Sequence, residues 1–119
     1  MLRYYKQRLE EEFSAQYVIV GHIGDAHLHA NVLPESAEQF ERGKALVEEF
    51  AREAVRLGGT VSAEHGLGKR KRDLLAIQYP PEAIAAMRAV KSRFDPDWLL
   101  GRGTLFPSLL HAGLSRRTD

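Results

Sequence analysis

The sequence predicts an α+β fold: an antiparallel sheet fragment with helices packed on one face. Two short runs rich in β-branched residues, Tyr17 to Val20 and Leu28 to Leu33, predict strands. A long apolar stripe with clear start and stop signals predicts a helix between Ser36 and Gly58. A proline-led segment from Pro81 to Phe94 predicts another. The chain has 119 residues, enough for one domain with a modest core. Its 44% apolar and 28% charged content argues for a folded chain rather than a disordered one.

The first element is expected over residues 2 to 15, where Leu2, Tyr5, Leu9 and Phe13 fall at helical spacing. After the two strands, Ser36 and Gln39 match a capping box. Phe40, Val47, Phe50, Ala54 and Leu57 form the stripe, and Gly58-Gly59 end the helix. Residues 60 to 63 read as a candidate short strand, and a helix is expected from about 67 to 78. Asp95-Pro96-Asp97 reads as a turn, and residues 108 to 119 as a loose tail. Two firm strands make a poor sheet by themselves, so something outside this chain is expected to complete it.

The composition excludes several classes. A formal net charge of +1 gives no overall pull toward nucleic acid or anionic membranes. No apolar run is long enough to span a bilayer, and the start (MLRYYKQRLEEEF) lacks the apolar stretch of a signal peptide. There is no cysteine, which excludes disulfides and thiolate metal sites and suits a cytoplasmic location.

The most informative stretch is Gly21-His22-Ile23-Gly24-Asp25-Ala26-His27-Leu28-His29-Ala30-Asn31. With a two-residue loop at Asp25-Ala26, or a four-residue loop from Gly24 to His27, the cross-strand pairs are Ile23 with Leu28 and His22 with His29. Opposed Cβ atoms lie about 5 Å apart, and two imidazoles at that spacing can share one metal ion. Tyr17, Ile19, Ile23, Leu28, Ala30 and Val32 then form an apolar face, while His22, His29 and Asn31 lie on the other. The turn asks Ala26 for positive φ, which costs alanine about 1 kcal/mol. The competing reading is a pair of hydrogen-bonded, inert histidines on a strand, and the pattern alone leaves both open.

A second cluster, Ser62-Ala63-Glu64-His65-Gly66-Leu67-Gly68, places an acid beside a histidine ahead of a helix. Such a pair can supply an oxygen ligand and a general base. Adjacent side chains usually point apart, which suits two roles better than one. A structural loop with neither role is the alternative. The basic run Lys69-Arg70-Lys71-Arg72 near a helix start opposes the macrodipole and reads as a solvated charged face.

With both clusters in hand, the chain resembles the C-terminal region of the FAD-linked oxidase family. That family includes glycolate oxidase, D-lactate dehydrogenase and D-2-hydroxyglutarate dehydrogenase, within the vanillyl-alcohol oxidase superfamily. Members read G-H-x-G-D-G-N-L-H-x-N, then a helix, then G-G-T-x-S-x-E-H-G-x-G-K, then D-P-x-x-x-x-N-P-G-K. The first motif matches residues 21–31, and the second matches Gly58-Gly59-Thr60-Val61-Ser62-Ala63-Glu64-His65-Gly66-Leu67-Gly68-Lys69. The third is met by Asp95-Pro96, then departs, with Gly101-Arg102-Gly103-Thr104 in place of Asn-Pro-Gly-Lys. The first motif also departs, with Ala26-His27 in place of Gly-Asn, which can alter the turn or add a nitrogen donor.

The resemblance implies that residues 1–107 are part of a ferredoxin-like cap domain with a helical C-terminal tail. It implies His22, His29 and Glu64 as ligands of a divalent metal, zinc in some members. By the same resemblance His65 is the catalytic base and Asn31 faces the substrate. No flavin-binding residue is carried over. The implied reaction oxidises a 2-hydroxy acid to a 2-oxo acid. His65 takes the hydroxyl proton, hydride passes from Cα to FAD, and the metal polarises the substrate's oxygens. The FAD is expected on a missing domain or a partner subunit, so the chain is either a truncated product or a subunit, inactive alone and expected to form a homo-oligomer. Two other classes compete with this reading. Asp-Ala-His-Leu-His resembles the opening of amidohydrolase barrels, but this length cannot build such a barrel, and a small metal-dependent hydrolase leaves Glu64-His65 unexplained. A non-catalytic oligomerisation or regulatory domain with a vestigial site is the other.

Overall fold

The computed structural model describes residues 1–107, so the expected loose tail at 108–119 lies outside the described residues. The architecture is α+β and falls into two compact units, Met1–Ala63 and a second beginning at Glu64.

The first unit runs α1 (Leu2–Phe13), β1 (Tyr17–His22), β2 (His27–Val32) and α2 (Ala37–Arg56). The strands form a two-stranded antiparallel sheet. Because side chains alternate across a strand, Tyr17, Ile19, Ala30 and Val32 share one face, and they pack on Leu9, Phe13, Leu46 and Phe50 from the two helices. Two helices therefore cover one face of the hairpin, consistent with a fragment of a larger cap. Leu9 and Leu46 are almost fully enclosed, and burial of such a side chain is worth roughly 1.5–3 kcal/mol. Tyr5 packs on the Phe50 ring at 4.4 Å between centroids, and Tyr4 meets it edge-on at 6.0 Å.

The ends of α2 follow the sequence signals. Ser36 Oγ accepts from the Gln39 amide at 3.1 Å, and the Gln39 side chain accepts from the Glu35 amide at 2.7 Å. At the other end the amides of Gly58 and Gly59 donate to the carbonyls of Val55 and Ala54, and Gly58 has φ 82°. This is the paired hydrogen bonding of a glycine-terminated helix.

The face of α2 differs from the expected stripe. Phe50 is buried as expected, but Phe40 and Leu57 are 54% and 53% exposed, and Gly43, Leu46 and Ala51 are buried instead. Gly43 accounts for the rotation. A Cβ built there would stand 3.0 Å from Val32 Cγ2 and 3.6 Å from Phe13 Cζ, so its missing side chain lets the helix close on β2. Phe40 lies on the flank, with Lys44 Nζ 5.6 Å from its ring centre.

The hairpin register also differs. His22 pairs with His27 and Val20 with His29, two residues away from the expected pairing of His22 with His29. The loop comprises Ile23–Asp25 in a 3₁₀ turn and Ala26 in left-handed conformation, so Ile23 leaves the core face and is 70% exposed.

The second unit contains a 3₁₀ turn (Arg72–Leu74), α3 (Leu75–Gln78) and α4 (Pro81–Phe94). The latter has the expected bounds, with Pro81 at its first position. Residues 60–63 form no strand; there the Thr60 hydroxyl donates to the Ser62 carbonyl at 3.0 Å, a local bond that competes with strand pairing. The helix expected from 67 starts late. Gly66 and Gly68 are conformationally free, and four successive cations at a helix N-terminus oppose its dipole. The chain instead turns through Lys71 N–H to Gly68 O before α3. After α4, the buried Asp95 carboxylate accepts from Lys91 Nζ at 2.6 Å and from the amides of Leu99 and Leu100. This fixes the Asp95-Pro96-Asp97 turn and presents Trp98 to Arg88 and Lys91, 5.5 and 5.2 Å from its ring centre.

An ion network ties α1 to α2. Arg8 donates to Glu49 at 2.7 Å and to Glu12 at 3.0 Å, Tyr4 donates to Glu49 at 2.5 Å, and Arg42 donates to Glu12. The Arg42 guanidinium first, and then Arg8, hold the Glu12 carboxyl at about 2, below its ordinary 4.5. A carboxyl depressed by folding contributes stability that is fully present above its unfolded pKa and is lost as pH falls through the folded one. Denaturant titrations are therefore expected to show stability falling from pH 4.5 toward pH 2, with a shallower fall in Glu12→Gln. An identical pH profile in that variant would contradict the network's role.

Candidate functional site

The outer face of the hairpin follows from packing of the inner one. With Tyr17, Ile19, Ala30 and Val32 turned to the core, alternation puts Val18, Val20, His22, His27, His29 and Asn31 on the opposite face. His22 and Asn31 are exposed, whereas His27 and His29 are half-buried. The His27 and His29 rings lie 4.8 Å apart between centroids at an interplanar angle of 38°. The His22 ring is 6.4 Å from that of His27. The hairpin thus gathers the two expected ligand histidines on one face, but places His27 nearer to each of them in register or ring contact than they are to one another.

Two backbone features hold this arrangement. Gly21 has φ 143°, and a Cβ built on it would sit 2.2 Å from the His27 carbonyl oxygen. Only glycine fits where the two strands approach this closely. Ala26 has φ 53° and ψ 24°, and its amide donates to the Ile23 carbonyl at 3.2 Å. The positive φ anticipated for this alanine is present, although the loop around it is longer than a two-residue turn.

Glu64 and His65 lie in irregular backbone at the start of the second unit. Their side chains do not point apart as adjacent residues usually do: His65 Nε2 stands 3.0 Å from Glu64 Oε1. The His65 side chain is 80% exposed and that of Glu64 is 50% exposed, so both can be reached from solvent. An imidazole held against a carboxylate is a common arrangement for a general base, because the carboxylate orients the ring.

The imidazoles of the hairpin suit a borderline divalent cation such as zinc, which takes nitrogen donors readily. Tetrahedral zinc, with Zn–N about 2.0–2.1 Å, sets two imidazole centroids about 5 Å apart. The observed His27–His29 spacing of 4.8 Å matches this. The hairpin face therefore fits a metal of the kind the sequence motif suggests.

The backbone features make a paired forecast. Ala26→Gly removes a left-handed alanine and is expected to raise stability by about 1 kcal/mol. Gly21→Ala forces the strands apart and is expected to lower it by more than that. Thermal melts of both variants check the pair; stabilisation by Gly21→Ala would contradict the hairpin geometry.

The family described as FAD linked oxidases, C-terminal domain, matches residues 1–105. Among curated relatives, the glycolate oxidase subunit GlcD of Escherichia coli K12 is 34% identical over 104 residues, covering 86% of this chain and 21% of that protein. D-2-hydroxyglutarate dehydrogenase of Stutzerimonas stutzeri is 40% identical over 95 residues, covering 76% of this chain and 20% of that enzyme. The probable mitochondrial D-lactate dehydrogenase of Danio rerio is 36% identical over 87 residues, covering 71% and 18%. This chain thus spans about a fifth of the length of these relatives. A match over nearly all of the described residues, including both histidine motifs, shows that the chain belongs to the family of FAD-linked oxidase C-terminal domains.

Proposed function

We propose that this chain is the metal-and-base portion of an FAD-dependent oxidase or dehydrogenase that converts a 2-hydroxy acid to a 2-oxo acid. The observation that carries this reading is the hairpin's outer face, where imidazoles and the Asn31 carboxamide stand together while the inner face packs on the helices. In this reading His22, His29 and Glu64 are metal ligands, Asn31 contacts the substrate, and His65 takes the substrate's hydroxyl proton. The bound metal supplies Lewis acidity toward the substrate's oxygens. The Glu64 carboxylate beside His65 supports a base that gains positive charge as it accepts the proton. The chain corresponds to about a fifth of its relatives, and the flavin is assigned to the remainder of the enzyme, as a further domain or a partner subunit.

No helix among the described residues is long and apolar enough to cross a membrane. The absence of cysteine supports a cytoplasmic setting. Both strands of the two-stranded sheet are edge strands. Edges of this kind pair or are covered, which supports a homodimer of the chain. Light scattering at micromolar concentration is expected to give the dimer mass; a clean monomer would sink this part of the proposal.

The catalytic reading is tested on the chain together with its flavin-binding polypeptide, joined to it or supplied separately. With glycolate, D-lactate or D-2-hydroxyglutarate as substrate and a dye as electron acceptor, His65→Gln is expected to lower kcat by roughly 10²–10⁴-fold. Flavin content should not change. Undiminished turnover in the variant would rule out His65 as the base.

A further inference from the structure

We propose that His27 is a metal ligand, sharing with His29 a divalent cation of the zinc type on the outer face of the hairpin. This rests on the reading of the hairpin face as a metal site and adds to it a ligand that the family motif does not contain. Where that motif reads Gly-Asn, this chain reads Ala26-His27. The change replaces a carboxamide, a weak neutral donor, with an imidazole, the donor that zinc, copper, iron and nickel favour.

The geometry supports this ligand set. His27 and His29 are two residues apart on one strand and so share a face. Their centroids are 4.8 Å apart, the separation of two imidazoles on one tetrahedral ion. His22 is the cross-strand partner of His27, with its ring at 6.4 Å. That is about 1 Å beyond the shared-ion spacing, so the pair that matches one ion is His27 with His29. Among the three rings His27 is the central one, in ring contact with both others. It is also firmly placed: it is the first residue of β2, its carbonyl lies against the Gly21 backbone, and the left-handed Ala26 aims the strand that carries it. A ligand on a paired strand loses less freedom on binding than one on a loop. The His27 and His29 imidazoles both lie within the first compact unit.

The test is a zinc titration by calorimetry on the purified 119-residue chain, with Co²⁺ absorption as a spectroscopic probe of the coordinating atoms. His27→Asn, which restores the motif's residue, is expected to weaken zinc binding by 10-fold or more and to change the intensity of the cobalt bands. His27→Gln serves as a second variant. Melts of the metal-free proteins verify that both fold. Glu64→Gln reports separately on the broader reading. If His27→Asn binds zinc as tightly as the wild-type chain while His22→Ala and Glu64→Gln weaken it, His27 is not a ligand and the family ligand set stands. If the folded wild-type chain binds no zinc, the hairpin site is likewise overturned. The role of His65 then stands or falls on its kinetic test.

Discussion

Strand alternation, locked by a packed inner face, is the constraint on which the rest of this structure depends. Tyr17, Ile19, Ala30 and Val32 cannot leave the helices without exposing the core around Leu9, Phe13, Leu46 and Phe50. Their fixed orientation obliges His22, His27, His29 and Asn31 to face the other way. The chemistry of the hairpin is thus a consequence of packing. A one-residue slip would bury the imidazoles and expose the apolar set, so the core enforces the site as strongly as it enforces the fold.

That same periodicity explains what the sequence could and could not reveal. The apolar and polar faces were legible because they depend only on odd and even positions. The register was not: the observed pairing of His22 with His27 differs from the expected one by two residues, and a two-residue slip leaves each paired residue on its original face while Ile23 passes from the strand into the loop. The difference lies in the loop, Ile23 to Ala26, whose 3₁₀ turn no residue among Ile-Gly-Asp announces. The strain at Ala26 was readable, since any tight reversal there needs a left-handed residue. Caps behaved likewise, with Ser36, Gly58-Gly59 and Pro81 marking helix ends where the structure has them.

What escaped were contacts that carry no periodic signature. Gly43 reads as a weak point in a helix, yet it sets the face of α2 by letting Val32 approach. The close contact between Glu64 and His65 lies in irregular backbone, where the usual divergence of neighbouring side chains does not hold. Arg8, Glu12, Arg42 and Glu49 look like surface charges in sequence and form one network across two helices. Family membership, by contrast, was legible from the two histidine motifs, which required only order and spacing, and the match over residues 1–105 bears this out. The motifs also account for the Glu64-His65 pair, which the hydrolase reading leaves aside.

The central claim is that hairpin packing fixes one register and thereby one imidazole face. Cross-strand nuclear Overhauser contacts in the isotopically labelled chain test it most directly. The account predicts contacts between residues 22 and 27 and between residues 20 and 29, together with ring contacts between His27 and His29. Contacts between residues 22 and 29 and between residues 23 and 28 would instead show the alternative pairing and contradict the account.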